Sequence, residues 1–388
     1  MNIPKEAYLD NSATTRVYPE VAREVKRLME DEYGNPSSLH RRGTTAERVF
    51  AGAQEELAQL LGVKARGLVF TSGGTESNNL AILGMARRNR KRGNHLITSQ
   101  VEHSSVLEPF KMLETEGFQV TFLPPNEQGF IEPEAVAESV TAQTLLVSIM
   151  HVNNETGAVM PVSLIARAVR QKNPKTIVHV DAAQSFTKVP LAPAEQDLDA
   201  VSLSAHKFHG PKGVGALYLR QGLLAEPLLA GGGQQGEIRP GTENIPGIAG
   251  MALAAQISMQ HFRKQPQLLQ NFRQQMLHFF QAEHSDCRIN GPTGQQAASH
   301  ILNISLPGLK GEVILHALEE HGIFVSTGSA CHSRSKEPSH VLKAMNLDPE
   351  AMEGAIRLSF SWMNTEEEIR YALEKSSVVL KELKTFFQ

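Results

Sequence analysis

Four short stretches place reactive side chains where an α/β fold could use them. Ser202-Leu203-Ser204-Ala205-His206-Lys207-Phe208-His209-Gly210 sets a lysine just past an apolar run, with no acidic side chain for seven positions on either side. An amine kept from water and counter-charge loses its proton readily, which suits nucleophilic chemistry such as a Schiff base. Ile177-Val178-His179-Val180-Asp181-Ala182-Ala183-Gln184 ends an apolar run on Asp181. The carboxyl end of a strand is where open α/β sheets bind ligands, and an acid there answers a cation such as a protonated pyridine nitrogen. Leu68-Val69-Phe70-Thr71-Ser72-Gly73-Gly74-Thr75-Glu76 runs from a strand through two glycines into a helix. Such a turn presents free backbone N–H groups to a phosphate. It has neither the lysine spacing of a P-loop nor the Gly-x-Gly-x-x-Gly order. His103 follows another strand and could stack on a planar ring and shuttle protons.

Each stretch alone has a plainer reading: a tight turn, a helix cap or ion pair at Asp181, a snorkelling lysine, a structural histidine. Together they favour one site. A fifth stretch, Ser326-Thr327-Gly328-Ser329-Ala330-Cys331-His332-Ser333-Arg334, is polar and rich in small residues. It reads as a loop with an exposed cysteine, and His332 and Arg334 favour the nucleophilic thiolate of Cys331. The other cysteine, Cys287, better fits the ordinary buried, inert thiol, with partial exposure as the equal alternative.

The elements that must position these residues alternate between strand and helix patterns. Strands are expected at Leu68–Thr71, His95–Thr98, Gln119–Leu123, Leu145–Met150, Ile177–Asp181, Ala200–Leu203 and Gly215–Leu219. Several lack polar alternation, as strands covered on both faces should. Helices are expected at Thr45–Leu61, closed by Gly62, and at Pro161–Gln171, with proline at the first helical position. The pattern implies an α/β domain with a mostly parallel seven-stranded sheet. Past residue 260, a glutamine-rich stretch, Gln256–Gln281, reads as one long helix. Strands at Ile301–Leu306, Ile323–Val325 and Ala355–Phe360, a helix at Gly311–His321 and a final helix opened by a Thr365–Glu368 capping box suggest a smaller α+β domain. Residues 15–260 are expected to form the large domain, and 1–14 with 261–388 the small one.

With 388 residues, 41% hydrophobic and 20% charged, the composition is that of a soluble globular protein. A net charge of −3 argues against a nucleic-acid or acidic-membrane surface. Two cysteines cannot make a disulfide framework, and no stretch approaches the ~18 apolar residues of a membrane span. The N-terminus carries no apolar signal run, so a cytoplasmic protein is expected.

Taken together, the motifs resemble the cysteine desulfurase family, a branch of the class V aminotransferase-like, fold-type I pyridoxal-phosphate enzymes. The likeness runs from Tyr8-Leu9-Asp10-Asn11-Ser12-Ala13-Thr14-Thr15 to Ile356-Arg357-Leu358-Ser359, with the family's elements in order. It implies pyridoxal 5'-phosphate as cofactor, carried by Lys207. It further implies phosphate contacts from Gly74, Thr75, Ser204 and His206, a pyridine partner in Asp181, a ring-hydroxyl partner in Gln184 and stacking by His103. Asn154 and Arg357 would hold the substrate carboxylate. Thr242, in Arg239-Pro240-Gly241-Thr242-Glu243-Asn244, would reach the phosphate of a second subunit, so a homodimer is implied. The resemblance makes L-cysteine the substrate and L-alanine the product, with sulfur left as a persulfide on Cys331 for an acceptor or scaffold protein of iron–sulfur cluster assembly. No resident metal is implied, although a cluster could touch Cys331.

The Ala330-Cys331-His332-Ser333 run also occurs in selenocysteine lyases, so a selenocysteine or cystine lyase on the same scaffold stays open. A transaminase with an incidental Cys331, and a non-catalytic scaffold, are further alternatives. The loop cysteine speaks against the first and Lys207 against the second.

Overall fold

The computed structural model describes residues 6–327 and 338–387. Cys331 lies outside the described residues. After a short strand β1 (Ala7–Tyr8) come β2 (Leu68–Thr71), β3 (His95–Ser99), β4 (Gln119–Leu123), β5 (Thr144–Met150), β6 (Ile177–Asp181), β7 (Ala200–Ser204) and β8 (Gly215–Leu219). Strands β2 to β8 form one seven-stranded sheet in the order β2-β8-β7-β6-β5-β3-β4. β8 runs antiparallel to β2 and β7, and every other neighbouring pair is parallel. All but the edge strand β4 are buried along their whole length. Helices on both faces remove water from both sides of a parallel sheet, which is why these strands read as unbroken apolar runs.

The C-terminal part holds β9 (Arg288–Ile289), β10 (Ile301–Ser305), β11 (Ile323–Phe324) and β12 (Ala355–Ser359). β10 lies between β12 and β9, antiparallel to both, while β11 pairs in parallel with β1. A core of its own gathers Leu9, Phe272, Phe280, Ile304, Leu358 and Phe360, apart from the larger core that fills one face of the main sheet. Val341, Leu342 and Met345 pack into that larger core and tie the two regions together.

Three helix expectations are corrected. The stretch 256–281 is not one helix: it is shared by Ile245–Lys264 and Leu268–Glu283, with Gln265-Pro266-Gln267 between them. Pro266 brings no N–H and restricts the residue before it, so the first helix ends there. Pro161 is the N-cap of the helix Val162–Lys172, one position ahead of the first helical residue. The helix ending at Leu61 starts earlier than expected, at Arg41, where the His40 ring accepts the N–H of Gly43. Gly62 closes it in the left-handed conformation at φ 67°. The final helix, Glu366–Phe387, has its capping box: Glu368 N–H donates to Thr365 Oγ1 at 3.1 Å, and Thr365 N–H donates to Glu368 Oε2 at 2.9 Å. No helix among the described residues is long and apolar enough to cross a membrane.

The N-terminal segment is the strap that joins the two regions. Asn11 Nδ2 donates to the carbonyls of Tyr8 and Ser359, and Thr15 Oγ1 donates to the carbonyl of His206. Ser12 and Ala13 are thereby laid across the carboxyl ends of β6 and β7.

Candidate active site

The carboxyl ends of β5, β6 and β7, the turn Ser72–Gly74 and the strap enclose a cavity of about 590 Å³. Its walls include Gly74, Thr75, His103, Asn154, Asp181, Gln184, Ser204, His206, Lys207 and Arg357. Of the residues expected to form the site, only Thr242 is placed elsewhere, exposed at the surface, and Cys331 is not among the described ones.

Lys207 ends a short turn, Ala205–Lys207, that follows β7. Its Nζ donates to the carbonyls of Ser12 at 2.5 Å and Ala13 at 2.9 Å. Asp181 closes the neighbouring strand β6 and is 6% exposed. Its Oδ1 accepts the Ala183 N–H at 2.9 Å and its Oδ2 accepts Asn78 Nδ2 at 2.8 Å. These donors fix the carboxylate plane, yet no salt bridge among the described residues includes it. Gln184 Nε2 donates to the Ser12 carbonyl at 2.9 Å, while its Oε1, Asn78 Oδ1 and Ser12 Oγ are buried with no partner. Buried polar atoms of this kind are rare in a finished interior and common where a ligand completes the bonding.

On the opposite wall, Gly74 opens the helical stretch that follows β2. A Cβ on Gly74 would come within 3.2 Å of the Ser204 Cβ, so a side chain there would crowd the cradle. His103 is the N-cap of the helix Ser104–Thr115, and its Nδ1 accepts the Ser105 N–H at 3.1 Å. His206 Nδ1 lies 3.1 Å from Thr14 Oγ1. Burial, and then the charges of Lys207, Lys212 and Lys188, push the His206 ring down to about 4, so it is neutral at physiological pH.

One end of the cavity is built by the second sheet. Arg357, on β12, is almost wholly buried; its Nη1 donates to the Asn154 carbonyl at 2.9 Å and its Nη2 to Asp10 Oδ1 at 2.8 Å. Beside it Glu155 is pushed up to about 7 by burial, against the opposing pull of Ser339 and Arg357. Behind His103, burial pushes Glu102 up to about 8.

Asn78, Asp10, Ser12, Glu155 and Glu102 escaped the sequence reading. Asn78 had a usable signal: it lies four residues after Gly74, on the same helix face. The others meet the site through contacts between distant parts of the chain. Among the described residues no group of three or more His, Cys, Asp or Glu is arranged to hold a metal ion.

Known proteins share both fold and sequence with this chain. Residues 7–371 match the aminotransferase class-V family. Cysteine desulfurase IscS of Dictyoglomus turgidum is 40% identical over 98% of this chain and 96% of its own length. A solved NifS-like protein superposes with a TM-score of 0.91 at 37% identity, covering 97% of this chain and all of that one. SspA, solved in complex with cysteine, gives a TM-score of 0.81 at 35% identity over 92% of this chain and 99% of its own. The chain therefore belongs to the pyridoxal-phosphate-dependent class-V aminotransferase family, within its cysteine desulfurase branch.

Proposed function

We propose that this protein takes sulfur from L-cysteine, releases L-alanine and passes the sulfur onward from Cys331. The observation that carries the reading is the convergence of a lysine amine, a strand-end carboxylate and a buried arginine on one cavity. The partnerless Gln184 Oε1 and the close approach of Gly74 to Ser204 suit a cofactor with a polar ring substituent and a phosphate. Pyridoxal phosphate, when bound, supplies an electron sink.

The protein's own groups do the rest. Lys207 would carry the cofactor and move the α-proton of the substrate, and Asp181, oriented by Asn78 and Ala183, would answer the pyridine nitrogen. Gly74, Thr75, Ser204 and a neutral His206 would hold the phosphate, and His103 would stack on the ring. Asn154 and Arg357 hold the substrate carboxylate. The Cys331 thiolate attacks the sulfur of cysteine, an S–S bond forms as the Cβ–S bond breaks, and the carbon gains a proton as alanine. Cys331 thus leaves with one sulfur more, which an acceptor or scaffold protein for iron–sulfur clusters removes.

We read two domains, 15–260 and 1–14 with 261–388, a division that the C-terminal core around Phe272 and Phe360 supports. Exposed Thr242 supports a homodimer in which it completes the partner's phosphate site, and the protein is read as cytoplasmic. The test is alanine formation from cysteine, selenocysteine and cystine measured side by side. Wild-type protein is expected to favour cysteine, K207A to form no alanine, and C331A to keep its cofactor while losing turnover. Full-rate desulfuration by C331A refutes the persulfide step, and a preference for selenocysteine moves the assignment to a lyase.

A further inference from the structure

We infer that Glu155 is a positioning residue for the substrate carboxylate: it sets the charge around Arg357 and ties that guanidinium to the Ser339 cap of the neighbouring helix. The inference rests on reading Arg357 as the carboxylate site. Glu155 is 4% exposed and forms part of the wall between the active-site cavity and a second, adjoining groove.

Backbone contacts lock it in place from two sides. The carbonyl just before it, that of Asn154, accepts Arg357 Nη1. Its own carbonyl accepts Asn303 Nδ2 at 3.2 Å, and Asn303 stands opposite Arg357 in the β10–β12 register. The carboxyl group, in turn, accepts the Ser339 hydroxyl, whose oxygen caps the helix His340–Ala344 by accepting the Leu342 N–H at 3.2 Å.

Charge decides what this arrangement does. Asp10 already neutralises Arg357 at 2.8 Å. With Glu155 ionised as well, the surroundings carry one net negative charge and repel an arriving carboxylate. With Glu155 protonated, the Arg357–Asp10 pair is neutral, and Arg357 Nε, buried and without a partner, keeps a donor that no described group uses. Burial places the Glu155 transition at about 7, so both forms are populated near physiological pH. Among the described residues, charged groups also line both hollows that Glu155 borders: Lys207 and Asp181 in the cavity, and Glu108, Lys111, Glu114 and Lys343 in the groove. His340 Nε2 meets the Glu102 carbonyl, and the Glu102 carboxyl turns away to Ser99 and the Met150 N–H. Carboxylate binding is therefore coupled to proton uptake at Glu155.

The test uses the holoenzyme and propionate, a carboxylate with neither amine nor thiol, with its dissociation constant followed by NMR from about pH 6 to about pH 9. Wild-type affinity is expected to fall about tenfold per pH unit above the transition, and E155Q to show no such fall. S339A removes the bond that favours the carboxylate form, so its midpoint moves to higher pH. A wild-type slope in E155Q overturns the inference, and should that variant fail to fold, an unmoved midpoint in S339A does the same. R357Q separates the two layers. Undiminished propionate binding by R357Q refutes the Arg357 reading and this inference with it, whereas lost binding alongside an unchanged E155Q slope refutes the inference alone.

Discussion

Replacing Asn78 with alanine isolates how much the orientation of Asp181 matters. Asn78 Nδ2 donates to Asp181 Oδ2 at 2.8 Å and lies 2.9 Å from Ser105 Oγ, and the residue is 1% exposed. A hydrogen bond to a charged group contributes about 1.5–3 kcal/mol net when both partners are buried. In the cofactor-free protein the Asp181 carboxylate borders an open cavity, so water replaces the lost donor and the melting temperature moves little. Once cofactor fills that cavity, water is excluded and the missing bond is felt in full. At about 1.4 kcal/mol per factor of ten, N78A should weaken pyridoxal-phosphate affinity roughly ten- to hundredfold. Titration of cofactor-free protein by visible absorbance, beside a thermal melt of the same preparation, measures both quantities. Wild-type affinity in N78A would show that Asp181 needs no such orientation. A large drop in the melting temperature of the cofactor-free protein would show instead that Asn78 is mainly structural.

Glu102 is wholly buried with its transition pushed up to about 8, so the folded state holds a proton that the unfolded state has released from about pH 4.5 upward. Native stability attributable to this group is therefore present in acid and lost as pH rises through 8; the melting temperature of E102Q minus that of wild type should grow more positive from about pH 5 to about pH 8, and a flat difference refutes the assignment. T365A removes one half of the reciprocal cap on the last helix and should cost about 1 kcal/mol in denaturant unfolding, with an unchanged midpoint as the contrary result. Burial pushes the Cys287 thiol up to about 11, so it should resist alkylation at neutral pH, and C287S should form alanine from cysteine at the wild-type rate. Mass spectrometry after brief iodoacetamide treatment reads the first, and rapid labelling of Cys287 would contradict it.

How far the sequence alone reached follows from the range of the forces involved. The strands of the main sheet other than the edge strand β4 were legible because burial on both faces writes an apolar run into each of them. The Thr365–Glu368 box and Gly62 were legible because caps act within a few residues. Lys207, Asp181, His103 and Gly74 could be picked out because each sits at a strand end or the turn beyond it, a position the local pattern defines. The break at Pro266 was equally local, and the glutamine-rich helical pattern around it masked the signal. What tertiary structure alone decided is pairing across the chain. The antiparallel course of β8, the Asp10–Arg357 contact spanning 347 positions and the Ser339–Glu155 bond spanning 184 leave no periodic trace in the residues that make them. Side-chain chemistry is set by residue type, but the charge state and orientation of a buried group depend on neighbours that only the folded chain brings together.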